Sequence, residues 1–151
     1  MQMTLERIGT DRAPALNNLF QMYGCEFSQY HEWDVDENGF FEVDELDDFL
    51  DVGNEEFASY FVKVDGKIAG FVLVCPGEAG DRHTSWQIEE FFVLPKYRCT
   101  GISKQAFFEI LRRYKGSWQI LFHHKNVASV NFWDKAVNDW ERKAKELGVM
   151  N

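Results

Sequence analysis

The stretch Phe91-Phe92-Val93-Leu94-Pro95-Lys96-Tyr97-Arg98-Cys99-Thr100-Gly101-Ile102-Ser103-Lys104-Gln105-Ala106 changes character twice. Trp86–Leu94 is β-rich, and Pro95 stops it. A short basic loop follows. From Gly101 to Tyr114 the apolar residues Ile102, Ala106, Phe107, Ile110 and Leu111 recur at helical spacing. A strand that hands over to a helix through a small, basic loop is a ready anion cradle. The first amides of a helix lack partners, and its N-terminus carries partial positive charge. Gly101 permits positive φ or close backbone approach. Ser103 is small, and Arg98 and Lys104 add charge. The same residues also suit an ordinary strand–turn–helix with a solvated basic face.

Working outward, Ser117–His123 reads as a further strand, which makes Trp86–His123 a parallel crossover unit. Asn126–Leu147 reads as a long helix with Val130, Trp133, Val137 and Trp140 along one side. Upstream, Ala58–Val64 and Lys67–Cys75 are β-rich runs joined by Asp65-Gly66, a favoured hairpin turn. Gln2–Ile8 predicts a first strand. Ala15–Tyr30 predicts a helix, with Leu16, Leu19, Phe20, Tyr23 and Phe27 as its apolar stripe. Leu46, Phe49 and Leu50 mark a short second helix. The order β-α-α-β-β-β-α-β-α is mixed α/β, and no repeat or linker divides residues 1–151, so one domain is expected.

The chain carries 16 basic and 25 acidic side chains, a net charge of −9. The average hides a separation. His31–Glu56 holds 12 Asp and Glu and no Lys or Arg, whereas Pro95–Lys115 holds six basic residues against Glu109 alone. The acidic average disfavours nucleic acid as a partner. No run of apolar residues is long enough to span a membrane, and no signal peptide is recognisable at the start. Three cysteines without CxxC spacing read as free thiols of a cytoplasmic protein.

Val93-Leu-Pro95 followed by Arg98-Cys-Thr-Gly101-Ile-Ser103, with Asn126 and the aromatic pair Phe132-Trp133 after the next strand, resembles the GNAT superfamily of N-acetyltransferases. The hairpin Tyr60–Cys75 sits where that family's second and third strands belong, and the resemblance covers nearly the whole chain. It implies a mixed, mostly antiparallel central sheet with flanking helices and a parallel strand pair splayed at the acetyl-CoA site. It implies that backbone amides of Arg98, Cys99, Thr100, Gly101, Ile102, Ser103 and Lys104 hold the pyrophosphate of acetyl-CoA. Pantetheine would pair with Val93, and an N–H near Phe91 would polarise the thioester carbonyl. Asn126 and Trp133 complete the implied cofactor contacts.

The implied reaction is direct attack of a primary amine, small-molecule or peptide, on the acetyl group. An alkylamine has a pKa of about 10.4, so a base is needed. Glu89 and Glu90 are the candidates, and strand alternation sends them to opposite faces, so that one faces the acceptor. Polyamine-acetylating relatives carry an acidic pair before a similar Phe-Phe-Val, which favours Glu89. Three departures stand out. Trp133 occupies the position of a Tyr that protonates the leaving thiolate in many members. Cys99 replaces a Gly or basic residue. The chain ends soon after its last helix, where family members add one or two strands, and a homodimer would supply the missing edge.

Asp34-Val-Asp36-Glu-Asn38-Gly39-Phe40-Phe41-Glu42-Val-Asp44-Glu45 matches the calcium-binding EF-hand loop. Asp34, Asp36, Asn38 and Glu45 would be ligands, in a calcium-binding or regulatory module whose acyl-CoA site is vestigial. Against that stand the absence of a second loop and two further readings, an acidic rim that attracts a cationic amine and a solvated polar turn. No metal is expected at the reaction centre. His123-His124, at the end of a strand, reads as a packed or solvent-facing pair.

Overall fold

The computed structural model describes residues 1–77, 85–120 and 124–146. Its strands are β1 (Met3–Arg7), β2 (Ala58–Val64), β3 (Lys67–Pro76), β4 (Ser85–Val93) and β5 (Ser117–Ile120). Its helices are α1 (Ala13–Phe27), the single turn α2 (Asp47–Leu50), α3 (Ile102–Arg113) and α4 (Val127–Glu146). The strands form one sheet in the order β1-β2-β3-β4-β5, antiparallel except for the parallel pair β4–β5. The expected fold class holds. The expected elements are all present, with ends shifted by a few residues. α1 closes at Phe27, whose carbonyl accepts the amides of Tyr30 and His31. Residues 121–123 of the expected last strand, His123 included, lie outside the described residues.

Local chemistry accounts for the sheet. At the β2–β3 turn Asp65 (φ 50°) and Gly66 (φ 81°) both take positive φ, the backbone that an Asp-Gly pair adopts in a tight hairpin. Alternation along β3 then builds two cores. Phe71 and Leu73 pack with Leu16, Leu19, Leu50 and Phe92 on the α1–α2 face. Val72 and Val74 pack with Ile88, Phe107, Ile110, Leu111 and Trp133 on the α3–α4 face. β3 is buried on both sides, so it reads as a continuous apolar run. β3 and β4 approach closely at Gly70, where a Cβ would stand 2.0 Å from the Phe92 carbonyl oxygen.

Two features of β4 position the site. Among the described residues it pairs with β5 over Ser85–Ile88 and Ser117–Ile120, and it runs on to Val93. The β3–β4 register also slips, with Leu73 opposite Glu90 but Val74 opposite Ile88. Glu89 is therefore the extra residue of a β-bulge.

Candidate active site

The loop between β4 and α3 is built to present amides. Pro95–Tyr97 forms one 3-10 turn. Cys99 (φ 61°) and Gly101 (φ 89°) are both left-handed, and Gly101 precedes α3 without any side-chain cap. Alternation of left-handed residues ahead of a helix makes a concave nest of N–H groups suited to a phosphate. No atom lies within 4 Å of where a Gly101 Cβ would stand, so the approach is open. This donor set fits the diphosphate of a coenzyme.

The structure changes which groups of the loop are free. The Arg98 amide bonds the Pro95 carbonyl at 3.1 Å and belongs to the turn. The Arg98 guanidinium bonds the Val93 carbonyl (2.8 Å) and the Glu26 carboxylate (2.6 Å) and lies over the Phe92 ring. It braces the end of β4 against α1 instead of facing an anion. Lys104 Nζ is 3.3 Å from Asp139, in a groove between α3 and α4 where Arg112, Arg142 and Lys143 mingle with Glu109 and Glu146. The Thr100 hydroxyl bonds the Tyr97 carbonyl and closes the loop. Cys99, Ser103 and the buried Ile102 belong to the nest through their backbones, with Ile102 anchoring α3 in the core.

Asn126 and Trp133 belong to the start of α4. Asn126 is buried, and its Oδ1 accepts the Ser129 amide at 3.0 Å, so it caps α4. Trp133 is 7% exposed. Its ring packs edge-on against Phe91 (5.5 Å) and Phe107 (5.0 Å), which seats it in the core. Phe91 reaches Phe132 as well and, like Val93, lies toward the loop end of β4.

The bulge overturns the expected division of Glu89 and Glu90 between two faces. Both line one cavity of about 580 Å³ on the α1 side of the sheet. Glu89 is exposed; its Oε2 accepts from Gln87 Nε2 at 2.6 Å. Glu90 is half-buried and accepts the Tyr23 hydroxyl. Burial pushes the Glu90 carboxyl up to about 7, with the Tyr23 bond pulling the other way and the charges of Glu89 and Asp44 adding to the rise. Tyr23 is raised too, by burial first and then by the Glu90 charge, so it remains a hydroxyl donor. Its ring is pinned by stacking on Phe27 and by edge contacts with Phe20, Phe71 and Phe92. The sequence shows Tyr23 as part of the apolar stripe of α1 and not as the hydrogen-bond partner of Glu90. The signal was the hydroxyl, since a buried Tyr needs a partner.

The rest of the cavity is walled by α1 and by residues 32–46, a strap without helix or strand. Glu32, Asp34, Glu42, Asp44 and Glu45 join Glu89 and Glu90 in the lining, which contains no Lys, Arg or His among the described residues. Phe20, Trp33, Phe41 and Phe49 supply apolar surface. The EF-hand reading gains no support. Asp36 Oδ1 accepts the amides of Asn38 (2.8 Å) and Phe40 (3.0 Å), closing its own turn. Glu45 hydrogen-bonds Asp47, which raises its pKa. Among the described residues no cluster of His, Cys, Asp or Glu is placed to hold a metal.

An amide nest at a helix start, a parallel strand pair and a half-buried carboxylate on β4 fit an acyl-CoA-dependent transferase. Residues 16–138 match the family described as Acetyltransferase (GNAT) family, and the chain belongs to it. Acetyl-CoA is accordingly the co-substrate. No curated protein matches the sequence. Among solved structures, an aminoglycoside acetyltransferase from an uncultured soil metagenomic sample superposes with TM-score 0.66 at 15% identity, covering 89% of this chain and 86% of that one. The aminoglycoside acetyltransferase AAC(6')-Iy, bound to a CoA bisubstrate analogue, gives 0.62 at 17% identity with 90% of each chain covered. An acetyltransferase from Thermus thermophilus gives 0.65 at 13% identity, over 89% and 86%. At these identities the likeness is one of fold.

Proposed function

We propose that this chain acetylates a small-molecule polycationic amine by direct attack, with Glu90 as general base. The observation that carries the reading is the cavity, where seven carboxylates and no cation among the described residues surround about 580 Å³. Such a field concentrates cations, and the aromatic walls accommodate a carbon skeleton between the charges. The aminoglycoside acetyltransferases that share the fold are consistent with that acceptor class.

Glu90 is the better base of the pair on physical grounds. A carboxyl near 7 accepts a proton more readily than an ordinary carboxylate, yet is substantially ionised at neutral pH. Glu89, exposed beside it, adds negative charge that attracts the ammonium. Loss of the amine proton to Glu90 frees the lone pair for the acyl carbon, and bound acetyl-CoA supplies that carbon as an activated thioester. Free amides at Cys99–Lys104 anchor the diphosphate end, while Phe91 and Val93, near the loop end of β4, offer backbone groups to the pantetheine arm. No acid is required of Trp133, since a thiol of pKa about 8.5 is a competent leaving group as the anion.

The test is acetyl transfer followed by release of free CoA, with spermine, spermidine, neamine, sisomicin, lysine and a neutral-side-chain amine as acceptors. Turnover that favours the acceptors of higher charge is the expected result. A clear preference for the neutral-side-chain amine would overturn the reading.

A further inference from the structure

We propose that Gln21 and Gly24 of α1 form a latch that fixes the acidic strap, residues 32–46, over the cavity and thereby sets affinity for a cationic acceptor. The inference rests on the acceptor reading above. The Gln21 side-chain amide takes both backbone groups of Phe41: the Phe41 N–H donates to Gln21 Oε1 (2.8 Å), and Gln21 Nε2 donates to the Phe41 carbonyl (2.9 Å). The two residues are 20 apart in sequence. One turn further along α1, Gly24 leaves a notch that the Phe41 ring fills. A Cβ at Gly24 would stand 2.8 Å from Phe41 Cγ and 2.9 Å from Cδ2.

The strap needs such a fixing point. Its internal bonds gather around Asp36, whose N–H donates to the Phe40 carbonyl at 2.8 Å. They set the shape of the tip but not its place on the body. Among the described residues, the two Gln21 bonds are the hydrogen bonds that join the strap to α1, beside a ring contact of Trp33 with Tyr23. Residues 32–46 carry seven Asp or Glu and no Lys or Arg, and five of the seven line the cavity together with Glu89 and Glu90. Mutual repulsion pushes the strap outward. The latch opposes that push and keeps the carboxylates converged before any cation arrives, so the acceptor does not have to gather them. Tyr23 holds Glu90 from α1 itself, so the base keeps its hydrogen-bonded anchor when the strap moves. Gln21 is absent from the cavity lining, so its effect on the acceptor must pass through Phe41.

The experiment is steady-state kinetics with spermine as a tetracationic probe, on the full chain at low salt. Gln21→Met keeps volume and deletes both bonds. It should raise the spermine KM about tenfold, as loss of two bonds from a preformed site implies. Both kcat and the acetyl-CoA KM should stay within about twofold, the pattern of lost binding without lost chemistry. Hydrogen exchange at the Phe41 amide should accelerate in the variant. Gly24→Ala, which displaces the ring without touching either bond, should raise the spermine KM as well and serves if Gln21→Met does not fold. An unchanged spermine KM in a folded latch variant, with wild-type turnover intact, overturns the latch and leaves the acceptor reading standing. Wild-type protein that turns over no cationic amine overturns both. Rapid exchange of the Phe41 amide in wild-type protein overturns the latch whatever the kinetics.

Discussion

Replacing Tyr23 by Phe removes one oxygen, and with it the hydrogen bond to Glu90. That bond favours the ionised carboxylate, whereas burial and the charges of Glu89 and Asp44 favour the neutral acid. Without the bond those three act unopposed, so the Glu90 pKa rises. A hydrogen bond to a charged group is worth about 1.5–3 kcal/mol, and one pKa unit is worth about 1.4 kcal/mol. The carboxyl, already near 7, should therefore move up by roughly one to two units. A base works only when unprotonated, so the acid limb of the kcat–pH profile should move to higher pH by that amount. At neutral pH the variant should be several-fold slower, and at about pH 10 it should approach wild type. Glu89→Gln acts with the opposite sign, because it removes a like charge and should shift the limb downward. The assay is release of free CoA at saturating acetyl-CoA and amine from roughly pH 5.5 to pH 10. Comparing variants with wild type on the same amine cancels the amine's own titration. A limb that stays put in Tyr23→Phe, or a uniform loss at every pH, would refute the assignment of Glu90.

Glu90→Gln should lower kcat by about 10²–10⁴ while retaining acetyl-CoA binding, measured by calorimetry. It should also change the pH dependence of melting. A carboxyl raised in the fold contributes stability below the ordinary carboxylate pKa that is lost as pH rises through about 7. The variant should thus melt above wild type at alkaline pH and match it in acid. Gly101→Val places a β-branched residue at φ 89°, a strain of about 1–3 kcal/mol. It should weaken acetyl-CoA binding tenfold or more, by calorimetry, with the far-UV spectrum unchanged. Raising salt from about 0.05 to 0.5 M, which contracts the Debye length well below 10 Å, should raise the KM of spermine far more than that of acetyl-CoA.

How much was legible in the sequence depended on how far apart the partners lie. The Asp65-Gly66 turn and the loop before α3 were readable because a few adjacent residues dictate their dihedrals. The two-faced burial of β3 followed from its unbroken apolar run. The bulge at Glu89 was not readable, since one extra residue leaves the local pattern of β4 intact and shows only in the register against Leu73 and Val74. The Tyr23–Glu90 bond spans 67 positions and the Arg98–Glu26 pair 72, distances over which no local pattern is diagnostic. The Asp-x-Asp-x-Asn-Gly run illustrates the converse. Short acidic side chains that ligate a cation also accept their own backbone amides, and at Asp36 the second use prevails.

The charge separation in the sequence also has a different meaning once partners are known. In the basic stretch, Arg98 pairs with Glu26, Lys104 with Asp139, and Arg112 and Arg113 with Glu109. Much of its charge is met within the fold, so a diphosphate held at the proposed site would draw on backbone dipoles, which need no counterion and keep their geometry. On the acidic side no cation among the described residues lines the cavity, and its carboxylates remain available to an incoming ligand. On the proposed reading the two substrates are recognised by different physics. Fixed amides select the shape of an anion common to every acetyl-CoA, whereas converged carboxylates tolerate any skeleton that spaces its ammonium groups suitably. On the proposed reading specificity resides in the placement of the strap, and a change there should alter which amine is acetylated before it alters the capacity to acetylate.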